Sequence, residues 1–160
     1  MQGKQTVLDR LNSLLIGELS AADQYFVHSR MLENWGFQAL YQRIAHERMD
    51  ELAHADSLIK RILFLEGTPD LSARAPLNIG KDVPEMLRND LAVELSVVNE
   101  LKEAIAHCEQ ERDFETRRIL VELLRDTEED HAYWLETQLG LIDRVGLRNY
   151  LQSAIGKISG

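Results

Sequence analysis

Two short stretches of this chain, Glu51-Leu52-Ala53-His54 and Glu128-Glu129-Asp130-His131, each set a carboxylate three residues ahead of an imidazole. On a helix that offset puts both side chains on one face, within a few ångströms of each other. Carboxylate oxygens and imidazole nitrogens without thiolate suit iron, manganese or zinc, and not copper(I) or iron–sulfur clusters. Two further glutamates, Glu18 and Glu94, sit midway along the other two long helical stretches. Two adjacent cations held by mixed oxygen and nitrogen ligands favour redox iron, with manganese as the rival.

The elements that must position these groups are legible from proline and glycine. All three prolines, Pro69, Pro76 and Pro84, fall between residues 69 and 84, and both flanks are rich in Leu, Ala, Glu and Arg, as long helices require. The first helix is predicted from Thr6, with Thr6 and Asp9 as a capping box, to Asn34, where Asn34-Trp35-Gly36 stops it. The second runs from Phe37 to Glu66 and ends at Gly67-Thr68-Pro69. The third starts at Asp82, with Asp82 and Glu85 as a capping box and Pro84 tolerated in the first turn, and runs to Arg112. The fourth spans Phe114 to Leu139, with Gly140 as its breaker. A short fifth covers Leu147 to Ile155. No alternating strand pattern is present. The tight connections near residue 35 and near Asp113 make each helix pair antiparallel. The link over residues 66–83 could reach on the order of 60 Å, more than the roughly 40 Å of a 27-residue helix. The fold class is therefore all-α: a four-helix bundle with one long crossover and a short fifth C-terminal helix, one domain over residues 1–160.

Each helix carries its glutamate within an apolar stripe. The rows are Leu11, Leu14, Glu18, Ala22 and Tyr25; Leu40, Ile44, Glu47, Glu51, Ala55, Leu58 and Ile62; Leu87, Leu91, Glu94, Val98, Leu101 and Ile105; and Val121, Leu124, Glu128, Ala132, Leu135 and Leu139. Every helix thus aims a carboxylate into the bundle near mid-length. Four buried carboxylates repel one another, and each buried charge costs several kcal/mol. Two divalent cations balance four negative charges, and coordinating histidines are neutral. Glu47 shares the stripe of Glu51 and is expected beside the site rather than as a ligand. Tyr25, one repeat beyond Glu18, is expected close to it.

Composition narrows the functions. With 18 basic and 27 acidic residues the net charge is −9, which argues against a nucleic-acid-coating role. The single Cys108 permits no internal disulfide and no cysteine metal cluster, and is expected as a small core or interface residue. No apolar run approaches the roughly 20 residues of a membrane span, and Met1-Gln2-Gly3-Lys4-Gln5 lacks a signal-peptide core. A soluble cytoplasmic protein is expected. His28 and His107, without partner patterns, are expected at the surface.

Six residues, Glu18, Glu51, His54, Glu94, Glu128 and His131, match the ligand set established for di-metal carboxylate bundles of the ferritin-like class. With Asp23-Gln24-Tyr25-Phe26, Asn34-Trp35-Gly36, His54-Ala55-Asp56, Arg61-Ile62-Leu63-Phe64-Leu65-Glu66-Gly67, Leu77-Asn78-Ile79-Gly80 and Asn149-Tyr150-Leu151-Gln152, the chain resembles the bacterioferritins over essentially its whole length. The resemblance implies a ferritin-like bundle and a ferroxidase that oxidises two Fe(II) per subunit with dioxygen or peroxide. It implies storage of the ferric mineral in a 24-subunit shell. Glu18, His54, Glu94 and His131 are implied as terminal ligands, with Glu51 and Glu128 bridging. His46 and Asp50, four apart on one face, are implied as an iron site on the inner cavity wall. A ferredoxin-type electron donor for iron release is an implied partner. The family binds haem between subunits through a methionine placed just after the first bridging glutamate. Here that position is Leu52, which cannot ligate iron, so haem is expected only with a methionine-bearing second subunit. The competing function is a rubrerythrin-type di-iron peroxidase without mineral storage, although the CxxC iron domain usual there is missing from this sequence.

Overall fold

The computed structural model describes residues 1–157. Helix α1 spans Gln5–Asn34, α2 Gln38–Phe64, α3 Val83–Gln110 and α4 Phe114–Asp126. A six-residue π-helical segment, Thr127–Ala132, joins α4 to α5 (Tyr133–Val145) without a break, and α6 covers Leu147–Ala154. The predicted all-helical bundle with one long crossover and a short last helix is the observed architecture, and no strand occurs among the described residues.

Local chemistry sets the ends. Asp82 accepts the Glu85 N–H at 2.9 Å and Glu85 accepts the Lys81 N–H at 2.7 Å, which satisfies two donors at the start of α3. Asp113 caps α4 by accepting the Thr116 N–H. Gly36, at φ +86°, lets the chain reverse between α1 and α2. Two expectations fail. Helix α1 begins after Lys4 with no side-chain cap, so Thr6 and Asp9 form no capping box. Gly140 does not end the fourth helix, which continues to Val145 and stops at Gly146, φ +82°. A side chain at Gly140 would meet nothing within 4 Å. Glycine at such an open helical position costs only about 1 kcal/mol, which the helix tolerates.

Two apolar clusters fill the bundle. One joins Leu11, Leu15, Leu58, Ile62, Leu101 and Leu120; the other joins Tyr25, Leu32, Ile44, Met86, Leu87 and Leu135. Glu18, Glu51 and Glu94 lie between them, in the middle of α1, α2 and α3. Burying each such aliphatic side chain stabilises the fold by roughly 1.5–3 kcal/mol, enough in sum to hold polar groups at the centre.

The crossover is strapped to α1 by three rungs. Ser20 Oγ accepts the Ala75 N–H at 2.8 Å, Gln24 Oε1 the Asn78 N–H at 3.0 Å, and His28 Nε2 the Gly80 N–H at 3.0 Å. The rungs stand four residues apart on one face of α1. His28 is therefore not the expected surface residue; it is fully buried. Because Nε2 accepts, the ring proton sits on Nδ1, 2.9 Å from Asp90 Oδ1, which also accepts from Gln24 Nε2 at 2.8 Å. Gly80 must be glycine, since a Cβ there would lie 2.4 Å from the Met86 nitrogen. No helix among the described residues is long and apolar enough to cross a membrane.

Candidate metal centre

Glu51 is the shared member of two triads. Ligand atoms of Glu18, Glu51 and His54 lie within 4.8 Å of one another, as do those of Glu51, Glu94 and His131. His54 Nδ1 is 3.5 Å from both Glu18 Oε2 and Glu51 Oε2. His131 Nδ1 is 2.8 Å from Glu51 Oε1 and 3.4 Å from Glu94 Oε1. One carboxylate thus turns one oxygen to each histidine, and the two rings stack 5.7 Å apart at 21°. The three-residue spacing of Glu51 and His54 works as expected because α2 is uninterrupted there.

The far nitrogen of each histidine faces another carboxylate. His54 Nε2 lies 2.7 Å from Asp126 Oδ2, and His131 Nε2 lies 2.8 Å from Glu47 Oε2. Such outer partners fix the ring orientation and tautomer of a metal-ligating histidine. They leave each Nδ1 aimed at the centre. Glu47 stands beside the site as its stripe suggested, buried and paired with Arg43. Asp126 was missed: half exposed on α4, it carries no local mark distinguishing it from other surface acids.

The inward atoms are orphans. Glu18 Oε1 and Oε2, Glu51 Oε1, Glu94 Oε2, His54 Nδ1 and His131 Nδ1 are buried and make no hydrogen bond of good geometry, His131 Nδ1 and Glu51 Oε1 being paired by charge alone. Unpaired buried polar atoms are costly, and six of them converging on one volume is the donor set divalent cations of the iron type require. Electrostatics agree. Burial, then the charge of Glu51, pushes the Glu18 carboxyl well above its usual range. Burial raises Glu94 as well, against the opposing pull of His131 and Tyr25. Burial opposes a charge on His54, yet the carboxylates of Glu18 and Glu51 outweigh it and push the imidazole up to about 11. Burial likewise opposes a charge on His131, and Glu47, Glu51 and Glu94 outweigh it and raise that imidazole. Coordination needs each imidazole neutral, so a cation and a proton compete for the same nitrogen. Tyr25, buried where expected, donates its hydroxyl to Glu94 Oε1. Burial, then Glu94, raises the phenol well above its ordinary value, so it remains a donor.

Glu128 is not in this cluster. Its side chain is 42% exposed and pairs with Lys102 Nζ at 2.7 Å. The predicted fourth stripe of Val121, Leu124 and Glu128 is out of phase; the buried row is Thr116, Leu120, Leu123, Thr127, His131 and Leu135. The phase is set within α4, whose Thr116, Leu120 and Leu123 lead on to Thr127 in a regular α-helical row, and Glu128 follows the buried Thr127 by one residue, about 100° round the helix. The Tyr133 N–H donates to Glu128 O, five residues back, and in so wide a turn residues four apart share a face. His131 therefore stays on the side of Thr127, and the α-helical spacing assumed for Glu128 and His131 does not hold.

His46 and Asp50 meet on the exposed face of α2, Nε2 to Oδ2 at 3.4 Å. Asp50 also lies 3.4 Å from His131 Nε2. Glu47, Asp50, Asp130 and His131 form a third compact group there, so the pair adjoins the centre. Leu52, at the expected haem-ligand position, is half-buried, and Met49 one turn earlier is 57% exposed. Cys108 is buried, as a core residue. His107 reaches Thr6 Oγ1 at 2.9 Å near the surface.

The ferritin-like domain family matches residues 8–145. A bacterial ferritin of Paramagnetospirillum magnetotacticum is 64% identical over 160 residues, covering 99% of this chain and 98% of the relative. A bacterial ferritin of Pseudomonas aeruginosa is 58% identical, covering 97% and 100%. A bacterioferritin of Mycolicibacterium paratuberculosis is 40% identical, covering 98% of each.

Proposed function

The chain belongs to the ferritin-like family, and from that premise we propose that it is an iron-storage ferroxidase working as a 24-subunit shell. The observation that carries this is Glu51, whose two oxygens face two separate Glu–His pairs, the geometry needed to hold two cations side by side. Glu18 and His54 serve one cation, Glu94 and His131 the other, Glu51 bridges, and Glu128 completes the set. Two Fe(II) are the substrate, and each gives up one electron. Dioxygen with two protons then leaves as hydrogen peroxide, or hydrogen peroxide with two protons leaves as two waters. The carboxylates favour the harder Fe(III) product. Both histidines must surrender their protons to bind. Asp126 and Glu47 keep the rings aligned, and the Tyr25 hydroxyl fixes Glu94. His46 and Asp50, beside His131, provide the next stop for iron moving inward. A ferredoxin-type donor would serve the reverse, reductive path.

The family's haem does not fit this chain alone, because Leu52 offers no lone pair. A methionine-bearing second subunit would supply the ligand. Protein purified with haem present should lack a Soret band, and Leu52→Met should create one at half a haem per subunit.

The test of the main proposal is twofold. The purified particle should have a mass of roughly 440 kDa, from 24 copies of an 18.3 kDa chain, and should retain ferric iron after aerobic ferrous loading. Replacing Glu18, Glu94 or His131 with Ala should slow initial Fe(II) oxidation more than about 10-fold, roughly 1.4 kcal/mol in barrier. Unchanged rates would refute the site. A dimer-sized particle would remove storage and leave a peroxidase of rubrerythrin type.

A further inference from the structure

The π segment and one surface ion pair together describe a ligand held in reserve. In an α-helix three steps of about 100° would leave Glu128 and His131 roughly 60° apart around the axis. A π turn advances only about 82° per residue, so the same three steps leave about 115° between them. Glu128 follows the buried Thr127 by one residue and so stands about 100° off the inward row, and the wide turn keeps His131 inside without bringing Glu128 back. There Lys102 of α3 holds it at 2.7 Å, both side chains being about half exposed.

The centre left behind is one negative charge short. Glu18, Glu51 and Glu94 face inward, whereas Glu47 is engaged by Arg43 and by His131. Three carboxylates against two divalent cations leave one positive charge buried, which is costly in a low-dielectric site. Buried ligand atoms of Glu18 and Glu94 already point at this volume unpartnered. The residue beside it with a carboxylate and a weak, solvent-exposed partner is Glu128.

We propose that Glu128 is a displaceable ligand: Lys102 holds it outside the cluster until a second divalent cation arrives, and that cation draws it inward as the turn at Thr127–Ala132 rotates. π turns inside α-helices carry one extra residue, and single π turns recur at functional sites. The extra residue gives this stretch two ways of presenting the same side chain. The first cation binds the preformed Glu–His groups, and the second binds only as the ion pair with Lys102 breaks. Lys102 is thus a positioning residue that sets the difference between the two binding steps. The proposal rests on the two-metal reading of the centre.

The test uses the assembled full-length protein and Co(II), which binds without being oxidised and reports its coordination in the visible spectrum. Anaerobic titrations, by calorimetry and absorption, compare the wild type with Lys102→Met, Glu128→Gln and the double variant. Glu128→Gln should weaken the second binding step at least about ten-fold and spare the first. Lys102→Met should tighten the second step by about two- to five-fold, the worth of an exposed ion pair. That gain should fade at high salt and be absent in the Glu128→Gln background. Deleting Thr127 removes the extra residue, so the second step should tighten and become indifferent to Lys102→Met. Two equal binding steps in Glu128→Gln would overturn the proposal while leaving a three-carboxylate centre intact. Loss of affinity in Glu128→Gln with no effect of Lys102→Met would also overturn it. Failure of the wild type to bind Co(II) would instead remove the two-metal reading itself.

Discussion

Glu18→Gln should make the metal-free protein more stable and the metal-loaded protein less so. Glu18 is fully buried, both its oxygens lack hydrogen-bond partners, and its nearest charged neighbours are Glu51, which repels it, and His54 at 3.5 Å. Glutamine has the same shape and no charge to desolvate, and its amide can donate to Glu51. Relief of one unsatisfied buried group is worth about 1–3 kcal/mol, and exchanging buried charge for a neutral side chain of similar volume is neutral or stabilising. For a chain of this size each kcal/mol moves the midpoint by about 2–4 °C. The metal-free variant should therefore melt roughly 2–12 °C above the wild type. Divalent cations reverse the order. A site filled at one hundred times its Kd adds about 2.7 kcal/mol to the folded state, and the proposed centre has two such sites. The variant lacks a proposed ligand of one of them. The assay is differential scanning calorimetry of the chelator-treated protein, with and without excess Zn(II), which avoids oxidation chemistry. The electrostatic reasoning fails if chelator-treated Glu18→Gln melts below the wild type. It fails equally if the variant gains as much from Zn(II) as the wild type does.

Other outcomes follow from the strap, the α4 cap and the lone thiol. Gly80→Ala places a Cβ 2.4 Å from the Met86 nitrogen and should destabilise by about 1–3 kcal/mol, read as a lower urea midpoint with unchanged m. His28→Ala leaves the buried Gly80 N–H without its partner and removes one of the two donors to Asp90 Oδ1, which keeps Gln24, and should cost about 1–3 kcal/mol; a wild-type melting curve would show the strap carries no load. At Asp113, burial alone would raise the carboxyl, but Thr116 and Arg61 outweigh it and hold it below the usual range. Its folded pKa being below an unfolded value of about 3.9, this contribution is complete above that pH and disappears as pH falls through the folded value. Asp113→Asn should therefore flatten the loss of stability below about pH 4, by no more than about 1 kcal/mol given its partial exposure. Burial, then Asp113, pushes the Cys108 thiol up to about 11, and its residue is only 1% exposed. Thiol reagents at pH 8 should modify it only at the rate of unfolding, and rapid labelling would contradict that burial.

What the sequence makes legible here depends on how far away the deciding partner lies. Glu18, Glu51, His54 and Glu94 can be placed from one-helix periodicity, because α1, α2 and α3 hold 3.6 residues per turn past their glutamates and the apolar neighbours report the phase. The fourth helix breaks that condition at one point. Leu120, Leu123, Thr127, His131 and Leu135 are its buried row, but Thr127 does not read as a core residue. Its hydroxyl is accommodated by donating to Leu123 O at 2.9 Å, a bond no composition count reveals. The wide turn then keeps His131 in the row of Thr127 while Glu128, one residue after Thr127, stays off it, so a local motif survives in sequence and separates in space. His28 is the complementary case. Nothing within its own helix shows why an imidazole should be buried. The reasons are Asp90, sixty-two positions on, and the Gly80 N–H, fifty-two positions on. Asp126 and Lys102 belong to the same class, each defined by a partner on another helix. The candidate ligand atoms of α1, α2 and α3 are thus encoded locally, whereas Asp126 and Lys102, which pair with His54 and Glu128, are placed only by the fold. Substitutions in that second group should alter affinity and order of binding while leaving the set of donors unchanged, which separates them experimentally from the ligands.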